Sequence, residues 1–254
     1  MLKLFQRLYH VDTKFRGDLS FLNEYEFFLP EPSKRLENLV TTGPYAGTLE
    51  AFATGVELRT RYEHLLTLAL SRNQTSFWAS GSKRVAETSR YFAAGLLGLD
   101  WQDFARLHII PETSDLGADT LTPGDTCQNY ARDVDAFGHN YGRRMLAKFQ
   151  RTYLPGIAAR FEEQNPGIAF SIDEVYAMQE MCGFETLAKG SSPWCDAFSH
   201  DEWEHFEYAR DLLHFYRSGP GNKYGATMGW LFLNATTELL KQGPEEAGPL
   251  FFSL

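Results

Sequence analysis

Apolar residues between Leu49 and Leu66 recur at intervals of three and four: Leu49, Phe52, Ala53, Val56, Tyr62, Leu65 and Leu66. Side chains three and four apart share one face of a helix, so this spacing predicts a helix. The period then changes. Ser76-Phe77-Trp78-Ala79-Ser80 is a short apolar run ended by Gly81, which predicts a buried strand. Ser82 stands as a candidate N-cap for a following helix with Val85, Phe92 and Leu96 on one face, stopping near Gly98. Arg106 to Ile110 predicts another strand, closed by Pro111. Strand, helix and strand within about 35 residues is the signature of parallel strands joined by a crossover helix.

The pattern differs further along. Residues 115 to 127 form a polar loop with Gly117, Pro123 and Gly124. From Asp133 to Glu163 apolar residues fall at fours (Phe137, Tyr141, Met145, Phe149, Tyr153), which predicts a long helix. Helices are also predicted from Ile172 to Ala188, from Glu202 to Tyr216, and over residues 226 to 241, with a loop at Ser218-Gly219-Pro220-Gly221-Asn222. Leu250 to Leu254 predicts a last buried strand. Near the start, the apolar-rich stretch Leu19 to Leu29 is ended by Pro30-Glu31-Pro32, and Thr41 to Gly47 is a turn-rich loop. The plan is an α/β layer interrupted by a helical insertion, with the sheet resumed at the end.

Composition narrows the function. With 43% hydrophobic and 22% charged residues over 254 positions, this is an ordinary folded chain. A net charge of −9 argues against a broad nucleic-acid-binding face, but a small basic pocket depends on local charge and is not excluded. No run of 18 apolar residues occurs, so no membrane-spanning helix is expected. Met1 to Arg7 is too short and polar for a signal peptide. Asn73-Gln74-Thr75 and Asn234-Ala235-Thr236 are either N-glycosylation acceptors or chance triplets. Three cysteines, Cys127, Cys182 and Cys195, are an odd number, which suggests a missing partner or a free thiol.

Two segments hold candidate chemistry. Ala79-Ser80-Gly81-Ser82-Lys83-Arg84-Val85 falls at a strand-to-helix turn, where helix N–H groups attract anions. Arg84 in the first helical turn opposes the helix dipole. It is either a solvated arginine or a bidentate phosphate ligand. Pro193 to Trp203 gathers a Cys, a His and three acids, but its spacing fits no zinc pattern. Ser199 or Asp201 is the expected cap of the helix starting near Glu202. The other histidines, His10, His64, His108, His139, His205 and His214, lie in helical or strand patterns, and no nucleophile elbow, phosphate loop or dinucleotide fingerprint occurs.

Taken together these segments resemble the fungal acid phosphatases and phytases of the histidine acid phosphatase family. Ala79 to Val85 with Tyr91-Phe92 is similar to the family's substrate-arginine segment. Met181-Cys182-Gly183-Phe184-Glu185-Thr186 and Trp194 to Trp203 resemble a second landmark. Phe15 to Asn23 with Tyr25 to Phe28 resembles the N-terminal part of the yeast enzymes, and Tyr216 with Gly219 to Asn222 also matches.

The resemblance implies the phosphoglycerate mutase-like α/β fold: a central, mostly parallel sheet flanked by helices, with an inserted, mainly helical domain. The expected division is 33–115 plus 240–254 for the sheet part and 1–32 plus 116–239 for the helical part. It implies hydrolysis of small phosphomonoesters, phytate among them, through a phosphohistidine. A His in an Arg-His-Gly-x-Arg-x-Pro motif attacks phosphorus, an Asp of a His-Asp pair protonates the leaving group, and arginines clamp the phosphate. It implies no metal or other cofactor, no nucleic-acid or membrane partner, and a secreted or cell-wall location; oligomeric state stays open. It further implies a disulfide between Cys182 and Cys195, with Cys127 left as a free thiol. Only Arg84 carries over as a site residue. Arg-His-Gly is absent, Leu8-Tyr9-His10-Val11-Asp12 standing in its expected place, and the catalytic His-Asp expected after a strand like Leu250 to Leu254 is absent too. His200-Asp201 belongs by its flanks to the structural landmark, and His10 lacks flanking arginines. The expectation is a fragment, a shortened gene model or a degenerate copy, the last being a non-catalytic phosphate-binding or interaction protein.

Overall fold

The computed structural model describes residues 2–10, 14–28, 47–72, 75–113, 115, 121–248 and 250–254. Three strands, β1 (Thr75–Ser80), β2 (Ala105–Ile110) and β3 (Phe251–Ser253), form one parallel sheet in the order β2-β1-β3. Thr75 stands opposite Ala105, and Ser76 opposite Phe251. The ladder continues past β3, where the Leu254 N–H donates to the Trp78 carbonyl at 2.9 Å. The apolar runs therefore do form parallel strands, and the crossover between β1 and β2 is α4 (Lys83–Leu97). Two earlier helices, α2 (Gly47–Arg61) and α3 (Glu63–Arg72), follow the short α1 (Leu2–Tyr9).

Alternation along β1 sorts its side chains. Phe77, fully buried, faces α4 and meets Phe92, Trp101 and Phe252 at ring distances of 6.1, 6.2 and 5.0 Å. Trp78 faces the other way, stacked on His108 at 5.7 Å. The first helical stripe, by contrast, turns inward only in part, with Leu66 buried in the sheet core. It is split at Tyr62, and Leu49, Val56 and Leu65 are exposed while Ala51 and Gly55 are buried. Close crossing of α2 over α4 is the reason. A Cβ on Gly55 would lie 2.4 Å from the Phe92 carbonyl oxygen, and one on Gly95 would lie 2.1 Å from that of Phe52. Small residues make that contact and push the large apolar ones outward.

The helical part comprises α5 (Pro123–Thr126), α6 (Gln128–Arg132), α7 (Tyr141–Gln164), α8 (Ile172–Lys189), α9 (His200–Arg217) and α10 (Gly225–Glu246). α10 is broken at Gly243, whose φ is 74°. The long helix expected from Asp133 begins only at Tyr141. Asp133 accepts from the N–H groups of Ala136 and Phe137 at 3.1 and 3.2 Å, and the Tyr224 hydroxyl donates to it at 2.9 Å. These local side-chain bonds replace helical ones over 133–140, so His139 sits in a turn. Among the cap expectations, Ser199 closes a full capping box with Glu202 on α9. Ser82 occupies the N-cap of α4, but its hydroxyl caps nothing.

A core separate from the sheet core joins α1, α7, α8, α9 and the 3₁₀ turns Gly17–Asn23 and Pro193–Ala197. Arg160 of α7 ties this assembly to the N-terminal segment. It donates to the Asp18 carboxylate and, at 2.7 Å, to Glu202, while its guanidinium lies 4.7 Å from the Phe161 ring centre. Gln164 donates to Asp18 at 2.8 Å, and Asn165 accepts from the Arg16 N–H at 2.7 Å. Arg160→Met should therefore lower stability by about 2 kcal/mol, since it strands two half-buried carboxylates that had charge-assisted bonds. Urea denaturation checks this; an unchanged midpoint would show that the pairs are solvated and contribute nothing.

Candidate functional site

All three strands end on the same side of the sheet, and a cavity of about 700 Å³ opens there. Open parallel sheets bind ligands in this position because strands and helix N-termini deliver loops and backbone donors to one edge. Ser80 from β1, Ser253 from β3, Leu254 just past it, and Arg84 from the first turn of α4 line it, with α5 and α10 contributing Asp125 and Met228.

The turn after β1 sets the chemistry. Gly81 lies beside the end of β2, and Ser82 is the N-cap of α4. The first turn of α4 holds no acid, so Arg84 works against the helix dipole, at a cost of a few tenths of a kcal/mol to about 1 kcal/mol. Its side chain is exposed toward the cavity wall and, among the described residues, forms no ion pair. A guanidinium carries five donors, here without a carboxylate among the described residues to receive them. The backbone donors of this helix end are less open than the sequence suggests. Glu112, just beyond β2, accepts the Ser82 N–H at 3.2 Å, so a carboxylate already occupies one amide. Among the described lining residues Arg84 is the one cationic side chain of the cavity.

Other sequence candidates lie elsewhere. His200 and Asp201 are exposed at the start of α9, with the His200 imidazole 3.4 Å from Glu204, and neither lines the cavity. His10 is exposed just past α1 and is likewise not a lining residue. Cys182 and Cys195 are joined, with Cα atoms 4.8 Å apart, and Cys182 packs on the helical core, so this bridge is structural. Cys127 is a free, half-buried thiol between α5 and α6. Asn234 is exposed on α10, whereas Asn73 lies outside the described residues. Among the described residues, no group of three or more His, Cys, Asp or Glu side chains is placed to hold a metal ion. No described helix is long and apolar enough to cross a membrane.

Glu112 and Asp125 were not legible as site residues in the sequence. Glu112 reaches the cavity from just beyond β2 and Asp125 from α5, and only the end-on view of the sheet brings them to Arg84.

The model of the histidine phosphatase superfamily (branch 2) matches residues 2–253. The chain belongs to this family. A phytase from Candida albicans is 34% identical over 244 residues, covering 94% of this chain and 50% of its own length. An acid phosphatase from Komagataella pastoris is 31% identical over 253 residues, covering 98% and 52%. In three dimensions the chain superposes on the crystal structure of the phytase from D. castellii with a TM-score of 0.84 at 31% identity, covering 99% of this chain and 54% of that one. The histidine phosphatase fold is thus established, and the chain spans about half the length of the curated relatives it matches.

Proposed function

We propose that this chain carries the phosphate-binding part of an acid phosphatase site, in which Arg84 holds the phosphate of a small phosphomonoester. The observation that carries this reading is an arginine without an ion-pair partner among the described residues, set against its helix dipole, in a cavity at the C-terminal ends of β1 and β3. A guanidinium in that place clamps two phosphate oxygens and offsets the charge that builds on them during phosphoryl transfer. In complete family members the resemblance assigns attack on phosphorus to the His of the Arg-His-Gly motif and leaving-group protonation to the Asp of a His-Asp pair following a strand like β3. β3 points at the Arg84 cavity, so a pair in that position would emerge beside the bound phosphate. The names of the relatives support phosphomonoesters as the substrate class, with phytate included. A secreted or cell-wall setting is supported by the disulfide and by the exposed Asn234 sequon.

The purified 254-residue chain should bind inorganic phosphate weakly, and Arg84→Ala should lower that affinity about tenfold or more, as expected for loss of a charge-assisted bidentate contact. Isothermal titration reads this. The same preparation should give no turnover of an aryl phosphate, because neither nucleophile nor general acid is present in its sequence. Phosphate binding that ignores Arg84→Ala would remove the basis of the proposal, and turnover lost on His10→Ala would make His10 the nucleophile.

A further inference from the structure

Three helices of this chain open on a serine N-cap: α4 on Ser82, α8 on Ser171 and α9 on Ser199. The last two close a box within their own first turn. The Ser171 and Ser199 N–H groups each donate at 2.9 Å to a glutamate three residues on, Glu174 and Glu202. α4 has no such glutamate. The equivalent residue is Val85, the Ser82 hydroxyl caps nothing, and the first turn holds no acid. The Ser82 N–H donates instead to Glu112, 30 residues away, at 3.2 Å. One arm of the box is therefore supplied from another part of the chain.

The sheet register holds Glu112 in that place. Ser80 at the end of β1 stands opposite Ile110 at the end of β2. Pro111 follows, its ring fixing its own φ and favouring extended backbone at Ile110. Glu112 then comes alongside Gly81: a Cβ on Gly81 would lie 3.6 Å from both the Cγ and the backbone nitrogen of Glu112. Glu112 is half-buried there and lines the same cavity as Arg84.

The remote source changes what Arg84 meets. Each capping glutamate that stands within its own helix has also drawn in an arginine. Glu174 is paired with Arg7 and Glu202 with Arg160, both at 2.7 Å. An acid in the first turn of α4 would put such an acceptor on the same helix end as Arg84, where it would compete with an incoming anion for the guanidinium. Glu112 serves the Ser82 amide from the neighbouring strand end, and among the described residues Arg84 forms an ion pair neither with it nor with any other acid.

We infer that Glu112 is a positioning residue of the phosphate site: its carboxylate holds the β1–α4 turn from the end of β2 and so keeps Arg84 at the cavity and unpaired. This rests on the reading of Arg84 as the phosphate ligand. Two effects of the carboxylate oppose each other. Its bond to Ser82 restricts the turn to the binding-competent arrangement. Its charge repels a phosphate in the same cavity. Glutamine separates the two, since its side-chain carbonyl can accept the Ser82 N–H without the charge.

Isothermal titration of the 254-residue chain and its Glu112 variants with inorganic phosphate tests the inference. Glu112→Gln should bind phosphate at least as tightly as the parent. Glu112→Ala loses the same charge and the bond as well, and should bind about fivefold more weakly than Glu112→Gln, the ratio expected when a cap that holds the competent state is lost. A purely structural role would lower the urea midpoint of Glu112→Ala and leave its phosphate affinity equal to that of Glu112→Gln; that equality, or a Glu112→Gln protein that binds more weakly than the parent, overturns the inference. If Glu112→Ala does not fold, Glu112→Asp takes its place. It keeps the charge but is one methylene short of the amide, so it should bind about fivefold more weakly than the parent, and there an unchanged affinity overturns the inference. Phosphate binding that is indifferent to Arg84→Ala instead overturns the phosphate site itself, and that failure is read with Glu112 intact.

Discussion

Replacing both Cys182 and Cys195 by alanine should lower the unfolding free energy by about 3 kcal/mol, the chain-entropy value for a closed loop of about 14 residues. The two residues are 13 apart and tie α8 to the 3₁₀ turn Pro193–Ala197. That turn delivers Trp194, fully buried, into the helical core, where Phe21 and Tyr25 meet it edge-on at 5.0 and 5.6 Å. Without the bridge the turn still has polar anchors: Ser192 donates to the buried Glu185 at 2.7 Å, and the Trp203 indole donates to the Cys195 carbonyl at 3.1 Å. The native arrangement should therefore survive, and the loss should come mainly from the freer unfolded chain. Urea denaturation should show a lower midpoint with native circular dichroism retained before the transition. Thiol reduction of the parent should reproduce it, whereas Cys127→Ser should shift stability by less than about 0.5 kcal/mol, as for a residue outside any such constraint. A double variant that unfolds at the midpoint of the bridged parent would mean that the closed loop is equally restricted without its sulfurs.

The sequence carried the sheet well because its strands are short apolar runs, although only β1 is largely buried: β2 is mostly exposed, and β3, expected as a buried strand, is half-buried. Phe77 and Ala79 are fully buried, Phe252 stacks on Phe77, and the turn residues between the strands set a parallel crossover. It misdirected the reading of α2 for a physical reason. Amphipathic periodicity assumes that large residues mark the buried face, but a close helix crossing buries the smallest ones. It overextended α7 because Asp133 satisfies two backbone donors through its own side chain, a competition that apolar spacing does not register. At the site, Arg84 was legible as a charge placed against its helix dipole. Glu112 and Asp125 had no comparable local signal, since they come to the cavity only where separate elements meet at the end of the sheet.

That close crossing gives the other large expected effect. Gly95→Ala should destabilise the protein by about 3 kcal/mol, at the upper end for inserting a methyl group into a packed contact. The added Cβ would lie 2.1 Å from the Phe52 carbonyl oxygen and 2.9 Å from its carbon. Both obstacles are backbone, so no side chain can rotate away, and α2 must lift from α4. Lifting α2 loosens the lid over Phe92 and Leu96, which are 7% and 2% exposed and close the sheet core around Phe77. Gly183→Ala is the control. It lies inside α8, a Cβ there would meet nothing within 4 Å, and the exchange should stabilise by up to about 1 kcal/mol through helix propensity alone. The opposite signs separate the crossing from any general effect of glycine replacement. Gly55→Ala should also destabilise, its Cβ lying 2.4 Å from the Phe92 carbonyl oxygen. Combined with Gly95→Ala it should cost less than the sum of the two, because one displacement of α2 relieves both clashes. Additive losses would show that each glycine is constrained separately, and a Gly95→Ala protein as stable as its parent would show that α2 and α4 do not approach this closely in solution.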